Sequence, residues 1–96
     1  MTLIGTFSDK ALKRFWGKGS AKGIDPKSSG RLKRLLGALD AATKPDDMDV
    51  VGYGFHALKG DRAGQYAMTI RAQWRLVFEW NDGMPVKVRR EDYHGC

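Results

Sequence analysis

Two histidines, His56 and His94, two cations in different settings, Lys59 and Arg75, and the run Asp92-Tyr93-His94 are the side chains of this sequence suited to proton transfer at a phosphate. RNA is cut without a metal when a 2′-hydroxyl attacks the adjacent phosphate. That reaction needs a base, an acid, and cations over the phosphorane that forms. His56 or His94 can exchange protons near neutral pH, and Tyr93 can stack on a base or hydrogen-bond. Lys59 and Arg75 can hold the charged oxygens, while Asp92 can orient His94 or accept a proton itself. Arg75 lies inside a strongly hydrophobic stretch, so it must point outward, pair with Glu79, or bind something. Two ionisable groups and an aromatic ring in three successive residues are dense for a chain end.

Other chemistries fit less well. The glycine-rich Gly17-Lys18-Gly19-Ser20 lacks the spacing of a phosphate-binding loop. No Cys pair or carboxylate cluster accompanies the two separated histidines, so neither a metal nor another cofactor is expected. Cys96 is the only cysteine, which excludes an internal disulfide and fits a reducing, cytoplasmic setting. The N-terminus lacks the pattern of an export signal, and no apolar stretch of membrane-spanning length follows it, so no membrane partner is expected. Lys and Arg number 17 against 11 Asp and Glu, a net charge of +6 that favours phosphate-bearing partners such as nucleic acid. At 96 residues the chain is read as one domain, residues 1–96, with one modest core.

The elements that must position these groups follow from periodicity. Residues 3–7 read as an opening strand. Ser8 is placed to cap a helix whose Leu12, Phe15 and Trp16 share a stripe, with Lys10, Arg14 and Lys18 on another. Asp25-Pro26 supplies a cap and a first-turn proline for a second helix, in which Leu32, Leu35, Leu36 and Leu39 face one way and Lys27, Arg31 and Arg34 another. Gly30 and Gly37 fall on its polar side. Beyond residue 47 the pattern alternates. Tyr53, Phe55 and Ala57 then oppose Gly54, His56 and Leu58, which places His56 on the face away from the aromatics. Strands follow over 65–70, with Tyr66, Met68 and Ile70 inward, and over 74–80, with Trp74, Leu76, Phe78 and Trp80 on one face and Arg75 on the other. Asn81-Asp82-Gly83 signals a tight hairpin into a last strand, 84–90, with Val86 and Val88 inward and Lys87 and Arg89 outward. The order predicts an α+β domain in which an N-terminal strand and two helices pack on one face of a mainly antiparallel twisted sheet.

Read in order, the Phe7 strand, Leu39-Asp40-Ala41-Ala42-Thr43, the segment from His56 to Tyr66, Trp74-Arg75-Leu76-Val77-Phe78 and Glu91-Asp92-Tyr93-His94 resemble the HigB-type toxins of the RelE/ParE superfamily. The resemblance implies a RelE-like fold and a toxin that acts as a ribosome-dependent messenger-RNA endonuclease. Its implied partner is a HigA-type antitoxin whose helix-turn-helix domain alone touches operator DNA. Matching motifs puts the family's active-site positions on His56, Lys59, Arg75, Asp92, Tyr93 and His94. Asp92 or His94 would deprotonate the 2′-hydroxyl, His56 or the other member would protonate the 5′-oxygen, and Tyr93 would stack on a splayed base. Lys10, Arg14, Lys18, Lys27, Arg31, Arg34 and Arg62 would contact RNA, including ribosomal RNA around the small-subunit decoding site. The sequence departs from the pattern in Gly95-Cys96, which extends past the histidine, and in Arg71-Ala72-Gln73 before Trp74-Arg75. Gyrase-poisoning ParE-type toxins share the superfamily, and a non-catalytic RNA-binding module is the third reading.

Overall fold

A computed structural model describes residues 3–92; Tyr93, His94, Gly95 and Cys96 lie outside the described residues, as do Met1 and Thr2. Helix α1 spans Lys10–Lys18 and α2 spans Pro26–Ala41. Strands β1 (His56–Ala57), β2 (Gln65–Arg71), β3 (Trp74–Asn81) and β4 (Met84–Asp92) form one antiparallel sheet in the order β1-β2-β3-β4. Short 3₁₀ turns occupy Pro45–Met48 and Gly60–Arg62. No helix among the described residues is long and apolar enough to cross a membrane.

The core lies where the two periodicities meet. Leu12 of α1 and Leu32, Leu35, Leu36 and Leu39 of α2 pack with Met68, Ile70, Leu76, Phe78 and Val88 of the sheet. Burying each large side chain contributes roughly 1.5–3 kcal/mol. Tyr66 continues the layer, its ring 5.8 Å from Phe55 and 5.4 Å from Phe78. The expected inward face of β3 is graded: Leu76 and Phe78 are sealed, Trp80 is half-buried, and Trp74 at the strand start is 41% exposed.

Asp25 and Pro26 start α2 as expected, the Asp25 carboxylate accepting from Lys27 N–H at 2.9 Å. The cap of α1 differs. Asp9, not Ser8, is the N-cap, and its Oδ1 accepts from Leu12 N–H at 3.1 Å. The same carboxylate receives Arg90 of β4 at 2.7 and 3.1 Å, so one side chain both starts the helix and fastens it to the sheet. Arg90 is available for this because it faces the helices, opposite Leu76 in register.

Residues 3–8 run beside β4, but as a bonded edge with one bridge, Phe7 to Val88, and not as a full strand. Gly5 N–H donates to Pro85 O and Val88 N–H to Thr6 O. The β3–β4 hairpin turns through Asp82 (φ 53°) and Gly83 (φ 78°), the positive angles expected of Asn-Asp-Gly. In β4 the simple alternation fails at Lys87, which has φ 53°. Glu79 pairs with Val86 and Val77 with Arg89, so two residues of β4 stand opposite Phe78. This bulge keeps Val88 in the core and moves Val86 to the face of Glu79, correcting the expectation that both valines point inward. Gly37 is likewise not purely on a polar side, since a Cβ there would lie 4.0 Å from the Trp16 ring.

Candidate active site

Pairing in the sheet decides which predicted residues share a face. His56 pairs with Ala67, Ala67 with Val77, and Val77 with Arg89, so these four form a row on the face away from the helices. The next row on that face is Thr69, Arg75 and Glu91. Strand spacing and rise then put the backbones of His56 and Arg75 about 12 Å apart, within joint side-chain reach of one phosphodiester. Asp92 pairs with Trp74, so alternation places it at the end of β4 on the helix side of the sheet. Lys59 is exposed and immediately precedes the 3₁₀ turn Gly60–Arg62, which links β1 to β2. Four of the six expected residues are thus placed, and Tyr93 and His94 lie outside the described residues.

The chain around His56 fixes the orientation of its ring. Nδ1 lies 3.1 Å from the carbonyl oxygen of Gly54. A carbonyl can only accept, so Nδ1 carries hydrogen and Nε2 is the atom left to gain or lose a proton. Gly54 has φ 66°, and a Cβ there would fall 2.5 Å from Thr69 Oγ1, against a branched side chain with little freedom. Gly54→Ala should therefore cost about 3 kcal/mol or more through left-handed strain and overlap, and should impair any His56 function. Gly52→Ala is the control for strain without overlap: φ is 92° and nothing lies within 4 Å, so its urea midpoint should fall by less.

Arg75 stands partly buried, with Nη1 donating to Ala72 O at 2.7 Å and to Trp74 O at 3.2 Å. Glu79, the partner considered for it, is engaged by Arg89 at 3.5 Å and Lys87 at 3.9 Å. Across these rows and the neighbouring row of Gln65 and Glu79 runs a network that the residue types alone do not single out. Glu91 Oε2 accepts from Arg62 Nη2 at 2.6 Å and from Arg89 Nε at 3.0 Å. Gln65 Oε1 accepts from Arg62 Nε and Arg89 Nη2, both at 2.9 Å. These bonds cross the face over Val77 and Ala67, which are fully buried although they face away from the helices. The hydrogen bond from Arg62 holds the Glu91 carboxyl below its usual range; partial burial opposes this, and Arg89 reinforces it. The signal that could have revealed the network is Arg89 and Glu91 two residues apart in β4, facing Arg75 and Glu79 in β3.

Of the expected RNA contacts, Lys10, Arg14, Lys18, Lys27 and Arg34 are exposed on the helices. Arg31 is directed elsewhere. Its guanidinium donates to Thr69 O at 3.1 Å and Gly52 O at 2.5 Å and sits 5.5 Å from the centre of the Tyr53 ring, tying α2 to the segment before His56. Arg62 is held by Glu91 and Gln65 as described. A cavity of about 400 Å³ opens on the helix side between Gly23, Asp25, Ser28, Leu32, Ile70, Trp74 and Arg90. Its charged groups are already engaged, Asp25 as a helix cap and Arg90 by Asp9 and Gly23 O. Among the described residues, no group of three His, Cys, Asp or Glu side chains is gathered as a metal site would need.

Residues 5–94 match the family of RelE-like toxins of the type II toxin–antitoxin system HigB. The chain is 36% identical over 92 residues to the endoribonuclease HigB of Proteus vulgaris, covering 96% of this chain and all of that protein. It is 34% identical over 80 residues to toxin HigB-1 of Vibrio cholerae serotype O1 (strain ATCC 39315 / El Tor Inaba N16961), covering 81% of this chain and 84% of the relative.

Proposed function

This chain belongs to the HigB-like family of RelE-like type II toxins, and from that premise we propose that it is an endoribonuclease cutting messenger RNA on the ribosome without a metal. The observation that carries the reading is the shared sheet face of His56 and Arg75, with the ring anchored at Nδ1 so that Nε2 is its proton-exchanging atom. The 2′-oxygen attacks phosphorus, its proton passing to His94 or to Asp92, which alternation sets on the helix side but whose exposed place at the very end of β4 leaves it able to reach round the strand end. The bond to the 5′-oxygen breaks, and that oxygen takes a proton from His56 or from the other member. The products are a 2′,3′-cyclic phosphate and a 5′-hydroxyl end. Lys59 and Arg75 balance the charge that builds on the phosphorane.

A protonated His56 still donates from Nδ1 to Gly54, so the anchor serves both protonation states. Tyr93 stacks on a splayed base. The exposed cations Lys10, Arg14, Lys18, Lys27 and Arg34 meet ribosomal RNA, whose grip on the message supplies positioning that the small site lacks. Neutralisation falls to a protein antitoxin, of HigA type with a helix-turn-helix domain, and the toxin acts in the cytoplasm.

The test compares naked messenger RNA with the same message on programmed ribosomes, mapping new ends and their chemistry. We expect cuts on ribosomes, with 5′-hydroxyl and cyclic-phosphate ends that persist in a chelator. Equal cutting of naked RNA would remove the ribosome from the reading, and 5′-phosphate ends would remove the 2′-hydroxyl mechanism. DNA breaks with intact messages would replace the whole proposal by gyrase poisoning.

A further inference from the structure

Two guanidinium groups, one carboxylate and one carboxamide form a closed ring on the sheet face that carries His56 and Arg75: Arg62 to Glu91, Glu91 to Arg89, Arg89 to Gln65, and Gln65 back to Arg62. We propose that Glu91 is a positioning residue for RNA cleavage, fastening the Lys59 turn to β4 through Arg62 so that Lys59 and Arg75 serve the same phosphate. This inference rests on the nuclease reading above.

Three observations converge on it. Arg62 ends the 3₁₀ turn that begins after Lys59, and its backbone N–H donates to the Lys59 carbonyl at 3.2 Å, so fixing Arg62 fixes the backbone of Lys59. Glu91 pairs directly with Arg75, so the anchor of the turn and the second phosphate-holding cation sit side by side in register. The ring leaves Arg62 little freedom: two of its donor atoms are aimed at separate acceptors on β2 and β4. Such a guanidinium acts as a strut more than as a mobile phosphate hand. Glu91 also stays ionised at neutral pH, which suits an anchor and not a proton donor. It immediately precedes Asp92, so the same anchor fixes the strand end from which that residue projects.

The experiment measures cleavage of a message on programmed ribosomes by the full chain and by Glu91→Ala, Glu91→Gln, Lys59→Ala and the double variant Glu91→Ala/Lys59→Ala. Glu91→Ala should lower kcat about tenfold while KM changes less than about twofold, because displacing a charge-holding group by about 1 Å is costly in rate and not in substrate binding. Glu91→Gln, whose carboxamide oxygen still accepts, should recover part of the loss. Lys59→Ala should cost much less in the Glu91→Ala background than in the native one, since a displaced lysine has less to lose. A merely stabilising Glu91 would not couple to Lys59 in this way. If Glu91→Ala fails to fold, Glu91→Gln carries the same comparison.

Native kcat in Glu91→Ala, a rise in KM alone, or an unchanged factor for Lys59→Ala in both backgrounds would overturn the proposal. A KM rise alone would instead make Arg62 or Glu91 part of RNA binding. A native chain that cuts no RNA would sink the nuclease reading itself, a result separable from native cutting with an indifferent Glu91.

Discussion

Arg75→Ala is expected to reduce messenger cleavage on ribosomes about 100- to 1,000-fold in kcat while the protein stays folded. The magnitude follows from removing one preorganised donor aimed at charge that develops only in the transition state. Arg75 also donates to the carbonyls of Ala72 and Trp74, bracing the β2–β3 turn where Ala72 holds φ 51°. Losing those bonds should cost stability too, about 0.5–1.5 kcal/mol for each. The two roles separate by measurement. A brace alone predicts a lower melting temperature with native kcat below the transition. A phosphate-holding group predicts a large rate loss at temperatures where both proteins are fully folded. Arg75→Lys refines the outcome, because lysine keeps the charge and forfeits the two-pronged donor geometry, so it should restore only part of the rate. Full activity in folded Arg75→Ala would remove this residue from the site and leave His56 without its partner across the face.

The residues that could be read correctly from sequence were those whose placement depends on near neighbours. Leucines spaced three and four apart in α2, an Asp-Pro start, and Asn-Asp-Gly between two alternating runs are local signals, and each appears where expected. The outward placement of His56 and Arg75 needed only period-two alternation. Errors arose where the deciding contact lies far along the chain. Ser8 and Asp9 are both good caps, and the choice falls to Asp9 because Arg90, 81 residues on, meets the same carboxylate. Arg31 looks like one more charge on a helical stripe until its contacts with Gly52 and Thr69 are seen. The bulge at Lys87 has no marker residue, as lysine rarely adopts positive φ, and it alone moves Val86 to the other face. For the site, alternation supplied the faces of His56 and Arg75 but not the register that brings them together. Register shows His56 and Arg75 together, Asp92 on the helix side at the strand end, and Glu91 among the group instead.

The same long-range carboxylate sets a second large expected effect, this one on stability. Asp9→Ala removes the cap of α1 and leaves Arg90 without its paired carboxylate in a site where the two side chains are only 14% and 22% exposed. Losing the cap costs about 1 kcal/mol. Orphaning a buried guanidinium costs up to about 3–5 kcal/mol, a figure to be reduced here because both groups retain some solvent. A combined loss of about 3 kcal/mol should lower the melting temperature of so small a chain by about 15 °C or more. Asp9→Asn divides the sum, since its side-chain oxygen can still accept from Leu12 while the ion pair is gone. Burial is the largest single influence on the Asp9 carboxyl and pushes it up, but the hydrogen bonds from Arg90 and Leu12 together with the Arg90 charge outweigh it and hold the group below its ordinary value. Between the lowered folded value and the ordinary value near about 4, the unfolded chain binds the extra proton, so stability rises with pH across that window. The advantage of the native protein over Asp9→Asn should therefore be complete at neutral pH, persist down to about pH 4, and close as acid protonates Asp9 in the folded chain. Urea midpoints of both proteins across that range test the linkage. A gap that stays constant into strong acid would mean that Asp9 acts through its shape and its cap, and not through the charge it shares with Arg90.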